Sequence, residues 1–198
     1  MGIQDREHLC VSNSEEFADW LTRNHESALG VWVVTHKKAS GKAAPTYDQM
    51  VRVALCWGWI DSVPGKVDEL RTKLYFSPRK SGSAWSQSNK ERVQQLIESG
   101  GMQPAGLAKV EQAKQSGTWN LIDSAQNAEV PEDLAAAFEA LDGSKENFDA
   151  FPKGVRKQIL EWISQAKTVG TRHKRILETA TLAQKNIRAN QWREKNKP

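Results

Sequence analysis

The sequence predicts an α+β fold, with a small, mostly antiparallel sheet packed by helices in the N-terminal half and a helical C-terminal half. Three observations carry this expectation. Residues 29–38, LGVWVVTHKK, are a β-branched run with apolar residues on both faces, as in a strand covered on both sides. Residues 70–78, LRTKLYFSP, alternate at the period of a strand. After SPRKSGSAWS, apolar residues recur at helical spacing instead.

Taken in order, Ser12 with Glu15, or Asn13 with Glu16, caps a helix over 14–26 that places Phe17, Trp20 and Leu21 on one stripe. The strand at 29–37 follows, then a loop, ASGKAAP. Thr46 and Gln49 form a second capping box, and Tyr47, Met50, Val51, Ala54 and Leu55 make the buried face of a helix over 47–57. In LCWGWIDS, residues 55–62, Trp57 closes that helix and Gly58 turns the chain in a left-handed conformation open to glycine. Trp59 and Ile60 then start a strand over 59–63, PGKVDE is a turn or short loop, and a third strand occupies 69–77.

Ser88 with Glu91 caps the next helix, with Ser86 as an earlier cap, and Val93, Leu96 and Ile97 form its apolar stripe. MQPAGLAKVEQAKQSG is a helix with Pro104 in its first turn and Gly117 past its end, and Trp119, Leu121 and Ile122 tether the connection after it. Leu134, Phe138 and Leu141 face inward from another helix, and SKENFDAF makes a short element. Val155, Ile159, Trp162 and Ile163 define a longer helix that anchors the C-terminal segment. A basic last helix has Ile176, Ala180, Ala183 and Ile187 as its weak inner face, and the terminal WREKNKP is expected to fray. The chain thus reads as a sheet-containing unit at 1–85 and a helical region at 86–198 packed on it, together one folding unit.

With 26% charged residues and a mean hydropathy of -0.65, the 198-residue chain has the composition of a soluble domain. Its longest apolar run, Val53 to Ile60, is interrupted by Gly58 and is too short to span a bilayer. MGIQDREHLCVSNSEEF lacks the basic start and apolar stretch of a secretory signal, so a cytoplasmic protein is expected. Cys10 and Cys56 are far apart and suit a reducing compartment, with Cys56 as a small core residue. His8, His25, His36 and His173 show no metal-ligand spacing, so the sequence implies neither metal nor cofactor.

A net charge of +4 conceals an uneven distribution. Arg71, Lys73, Arg79, Lys80, Lys90 and Arg92 face Glu91 alone within 71–92, residues 123–149 are strongly acidic, and 153–197 are strongly basic. Such blocks complement one another within the molecule or meet a charged partner.

Several segments together resemble one family. THKK, TYDQMVRVALCWGWIDS at 46–62, YFSPRKSGSAWSQSNKERVQQLIESGGMQPAG at 75–106 and ILEWISQAKTVGTRHKRI at 159–176 are similar to the bacteriocin-protection, YdeI/OmpD-associated family, in the expected order over nearly the whole chain. The family's C-terminal helical segment corresponds to about 131–188, and Ser62 stands where the family commonly has glycine. The resemblance implies protection against bacteriocins and cationic peptides and association with an outer-membrane porin, with no agreed reaction or cofactor. A net-basic chain suits an indirect, cytoplasmic role better than porin contact, and a cationic peptide would be drawn only to the acidic block.

Three function classes follow. The chain carries no G-x-S-x-G, Walker A or C-x-x-C, which favours a noncatalytic binding or stress-protection protein over an enzyme. The basic blocks with Tyr75, Trp85 and Trp192 interleaved suit nonspecific nucleic-acid binding. A small-molecule enzyme would draw on Asp61 or Tyr47 as acid or base.

The expected ligand site lies at the start of the helix near 86–88. There Arg79, Lys80 and Lys90 gather beside Ser86, Ser88 and Asn89, Trp85 stacks or shields, and Trp59 and Asp61 form a neighbouring wall for a small anion. The alternative is purely structural. Ser88 and Glu91 then cap the helix, Arg79 pairs with Asp61, and both Trp59 and Trp85 lie in the core. Partners under these readings are a small anionic ligand, a protein, or nucleic acid bound without sequence preference.

Overall fold

The computed structural model describes residues 2–191. The chain is α+β and divides into two compact units: residues 2–83 with 88–119, and residues 84–87 with 120–191.

The first unit is built on a four-stranded mixed sheet of β1 (His8–Cys10), β2 (Val31–His36), β3 (Trp59–Lys66) and β4 (Arg71–Pro78), in the order β1-β2-β4-β3. The β2–β4 and β3–β4 pairs are antiparallel, and β1 adds to β2 in parallel, with Leu9 opposite Val33. Residues 8–10 had no strand signal because only three residues pair, at an edge, and Leu9 alone is partly buried. β2 is buried on both faces, as its unbroken apolar run requires. On one face Phe17 of α1 (Ser14–Asn24) meets Phe76 with ring centroids 4.9 Å apart, and Trp20 meets Trp59 edge-on at 5.7 Å. On the other, Trp32 packs on Tyr75 at 5.2 Å and donates from Nε1 to the Ile3 carbonyl.

Asn13 caps α1 by accepting the Glu16 amide, and the Thr46–Gln49 box caps α2 (Tyr47–Cys56). Met50, Val51, Ala54 and Leu55 are buried as their spacing predicts, but Tyr47 is 53% exposed. It sits at the helix entrance, where its ring lies at the edge of the core and its hydroxyl turns to Asp61. Gly58 takes φ +72° and passes the chain from α2 into β3. PGKVDE is not wholly a turn: Pro64–Lys66 continue β3 after a register shift between Asp61 and Pro64. β3 is an edge strand, where a proline forfeits no needed ladder donor.

α3 (Gln87–Glu98) and α4 (Pro104–Gln115) complete the helices of this unit. Val93 is buried and Leu96 partly so, whereas Ile97, placed on the inner stripe by its spacing, is 40% exposed. α4 crosses the end of α2 at Gly106, where an added Cβ would lie 2.2 Å from the Cys56 carbonyl oxygen. Cys10 and Cys56 are free thiols, and burial pushes the Cys56 thiol above its ordinary pKa.

The second unit comprises α5 (Asp123–Gln126), α6 (Glu132–Glu139), α7 (Ser144–Ala150), α8 (Lys153–Ser164) and α9 (Val169–Gln184). Its core joins Leu134, Phe138, Phe148, Ile159, Leu160, Ile163, Ile176, Ala180 and Ala183. Phe138 and Phe148 meet at 5.1 Å, and the buried Ser144 hydroxyl donates to the Phe138 carbonyl at 3.1 Å. Asn147 donates to the Ala183 carbonyl, and Arg172 of α9 binds both carboxylate oxygens of Asp133 at 2.6 and 2.9 Å. Trp162 is partly rather than fully buried, with the Arg175 guanidinium 4.9 Å from its ring centre. Ile187 does not join the inner face: α9 ends at Gln184, three residues earlier, and Ile187 is 41% exposed. The expected fraying of WREKNKP, and Trp192 within it, lie outside the described residues.

Candidate functional site

The first turn of α2, the bulged end of β3 and the outer face of α3 bring a polar cluster together in the first unit. The capping box sets the entry of α2, so Tyr47 and Asp48 project from its first turn. Asp61 lies on β3 just before the register shift, and its Oδ2 accepts the Tyr47 hydroxyl at 2.9 Å. Asp48 accepts from Arg52 Nε at 2.6 Å, one turn along the same helix, and from Arg92 Nε at 2.8 Å on α3. The two guanidinium groups reach further partners: Arg52 donates to Gln95 Oε1 at 2.6 Å and Arg92 to Asn89 Oδ1 at 3.0 Å.

These contacts set the protonation chemistry. Burial first, and then the bond to Asp61, raise the Tyr47 phenol above its ordinary value, making it a donor rather than a base. Hydrogen bonds from Arg52 and Arg92 hold Asp48 below the usual carboxylate range. Arg79, 4% exposed, is pushed down to about 10 by desolvation, and the Asp61 charge opposes that shift. It therefore stays cationic at neutral pH. Arg52 and Arg92 share the single carboxylate of Asp48, an arrangement that suits an added anion. Arg52 Nη1 and Arg92 Nη2 have no hydrogen-bond partner among the described residues.

The sequence-selected residues fall into four groups. Asp61, Arg79 and Asn89 join or border this cluster. Trp59 is a core residue, 1% exposed, whose Nε1 donates to the His25 carbonyl at 3.3 Å. Lys90 is also buried, its ammonium 5.4 Å from the Trp119 ring centre, while Lys80 and Ser88 are exposed. Trp85, 1% exposed, and Ser86 belong to the second unit. α3 begins at Gln87, so Ser86 precedes the helix and Ser88 lies within it, and the Gln87 amide donates to Gln126 Oε1 at 2.6 Å. Asp48, Arg52, Arg92 and Gln95 were missed by sequence reasoning. The Asp48–Arg52 spacing of four on a helix was a visible signal, whereas the α3 residues lie more than 40 positions away.

Residues 9–109, a little over half of the chain, match the family model described as Domain of unknown function (DUF8412). The chain belongs to this DUF8412 family. Its match contains all of β2 to α3, and with them every residue of the polar cluster. Residues 127–186 match a second model, described as Bacteriocin-protection, YdeI or OmpD-Associated. The resemblance read from the sequence is thus supported, by a match to that segment rather than to the whole chain. No curated protein matches the chain, and no solved structure does. Among the described residues no group of three or more His, Cys, Asp or Glu could hold a metal ion, and no helix is long and apolar enough to cross a membrane.

Proposed function

We propose that this chain is a noncatalytic protection protein of the bacteriocin-protection kind, which acts by binding an anionic group on its DUF8412 unit. The observation that carries the reading is the engagement of both carboxylates in the cluster. Asp61 accepts the Tyr47 hydroxyl through Oδ2 and Asp48 is held by two arginines, so both carboxylates already have protein partners and the donors left over are cationic. The outward groups are guanidinium donors on Arg52 and Arg92, suited to a phosphate, sulfate or carboxylate. The buried Arg79 guanidinium interacts electrostatically with Asp61. The segment matched at 127–186 supports the protection role.

Two measurements test the reading together. Titration with inorganic phosphate at low ionic strength is expected to shift the amides near Asp48, Asp61 and Arg92 saturably, and Arg92→Gln is expected to weaken the response. In bacteria challenged with a bacteriocin, the chain is expected to raise survival, Tyr47→Phe to retain that protection and Arg92→Gln to lose it. Loss of protection in a folded Tyr47→Phe protein, with phosphate binding unchanged, would favour proton-transfer chemistry at the Tyr47–Asp61 pair and overturn the noncatalytic reading.

A further inference from the structure

The THKKASGK segment, which the polar cluster does not use, forms one wall of a separate cavity of about 500 Å³ in the first unit. His36, Ser40 and Lys42 line it from this segment, and Asp68, Leu70 and Arg71 line it from the end of the β3–β4 hairpin. The walls are fastened together. Lys37 donates its amide to the Leu70 carbonyl at 2.9 Å, and its ammonium binds the Asp68 and Glu69 carbonyls at 3.0 and 3.2 Å. A cavity held in this way keeps its shape without a ligand, which lowers the ordering cost of binding.

Its polar groups are one-sided. Asp68 accepts from the Leu70 amide with one oxygen and from Arg71 Nε with the other, at 2.9 and 2.8 Å. Glu69 is ion-paired with Lys66. Both carboxylates at the cavity are thereby neutralised by a base of the hairpin itself. The Lys42 ammonium has no acidic partner among the described residues.

His36 adds a donor. Its Nδ1 is buried without a hydrogen-bond partner, while Nε2 is neither buried nor bonded among the described residues. In the tautomer that leaves the buried Nδ1 as an unpaired acceptor, the accessible Nε2 carries the N–H. Leu70, 51% exposed, and the carbon stems of Lys42 and Arg71 supply an apolar wall.

We infer that this cavity binds a small organic carboxylate with an apolar body, aromatic or aliphatic. The carboxylate meets the Lys42 ammonium, the His36 N–H and the Ser40 hydroxyl, and the body lies against Leu70. An inorganic anion would leave the apolar wall wet, and a neutral apolar molecule would leave the Lys42 charge unanswered. This site is distinct from the Arg52–Arg92 cluster, and either can fail without the other.

The test is a heteronuclear NMR titration of the full chain with benzoate, against acetate, inorganic phosphate and the uncharged benzamide. Benzoate is expected to shift the amides of 36–42 and 68–71 saturably, with at least ten-fold weaker responses to the other three probes. Lys42→Ala, at an exposed loop position, is expected to weaken benzoate binding at least ten-fold with the remaining spectrum unchanged, and Leu70→Ser to bring benzoate down to the level of acetate. Absence of saturable benzoate shifts, equal binding of benzamide, or unaltered binding by Lys42→Ala would each overturn the inference. Should Leu70→Ser disturb the hairpin, the Lys42→Ala and benzamide comparisons decide the matter.

Discussion

Replacing Gly106 by alanine is expected to reverse the sign of an ordinary helix substitution. In a helix, Gly→Ala gains up to about 1 kcal/mol, because alanine loses less backbone freedom on folding. Gly106 lies in the first turn of α4, and its added Cβ would stand 2.2 Å from the Cys56 carbonyl oxygen and 2.7 Å from that of Leu55. Both neighbours are backbone at the end of α2, so no side chain can swing aside. Ordinary contact begins near 3.4 Å, so the helices must part by roughly 1 Å, an overpacking strain of about 1–3 kcal/mol. The Cys56 carbonyl also accepts the Gln103 amide at 3.1 Å, and loosening that bond costs about 1 kcal/mol more. After the propensity gain is subtracted, a net destabilisation of about 1–3 kcal/mol remains. Gly154 in α8 is the internal control, since a Cβ there meets nothing within 4 Å. Gly154→Ala is expected to be neutral or to stabilise by a few tenths to about 1 kcal/mol. Hydrogen exchange of the β2 amides reads the first substitution and exchange of the α8 amides reads the second. A Gly106→Ala protein as stable as the wild type would refute the close crossing of α2 and α4.

Tyr47 and Tyr75 are the only tyrosines, so the ultraviolet difference titration between wild type and Tyr47→Phe isolates one phenol; it is expected to titrate above its ordinary value of 10.0. Because that folded value is raised, the stability it contributes is full below the unfolded value and is lost as pH rises through the folded one, and a difference titration at or below 10 would contradict the Asp61 contact. The Asp48 carboxyl is shifted the other way, so Asp48→Asn is expected to lower stability at neutral pH by only about 0.5–1 kcal/mol, since the half-exposed Asp48 side chain leaves its pairs with Arg52 and Arg92 screened by solvent. That difference should persist above the ordinary carboxylate value of 3.8 and vanish as pH falls through the lower folded value; a pH-independent difference in denaturant unfolding would exclude the arginine pairing as its cause. In the second unit, Ile159→Ala is expected to cost about 2–5 kcal/mol because the side chain is fully buried. Trp162→Ala should fall below the roughly 3–5 kcal/mol of a fully buried tryptophan, and an equal or larger loss in urea unfolding would show a deeper burial than its solvent-facing edge implies.

The α+β class was legible because periodicity reports burial. The run at 31–34 had to be a strand covered on both faces, and Phe17, Trp20 and Leu21 could share a buried stripe only as a helix. Capping chemistry is equally local, so Thr46 with Gln49 announced the start of α2, and the αL freedom of Gly58 its end. Where the reading failed, the deciding partner was remote. β1 exists because the exposed edge of β2 accepts it, and Pro64 stays in a strand because β3 is itself an edge.

The candidate site divides along the same line. Sequence alone selected Asp61 as a carboxylate in need of a partner, with Arg79 as the candidate, and offered Asp61 or Tyr47 as an acid or base without pairing the two. It also contained the Asp48–Arg52 pair, since one helical turn joins them without help from the fold. Only tertiary structure brought Arg92 to Asp48 across 44 positions, buried Trp59 and Lys90, and assigned Trp85 and Ser86 to the second unit. The physical reason is range. Backbone propensity, capping and amphipathic spacing act within a few residues, whereas desolvation and the meeting of side chains across elements depend on which surfaces the whole chain buries.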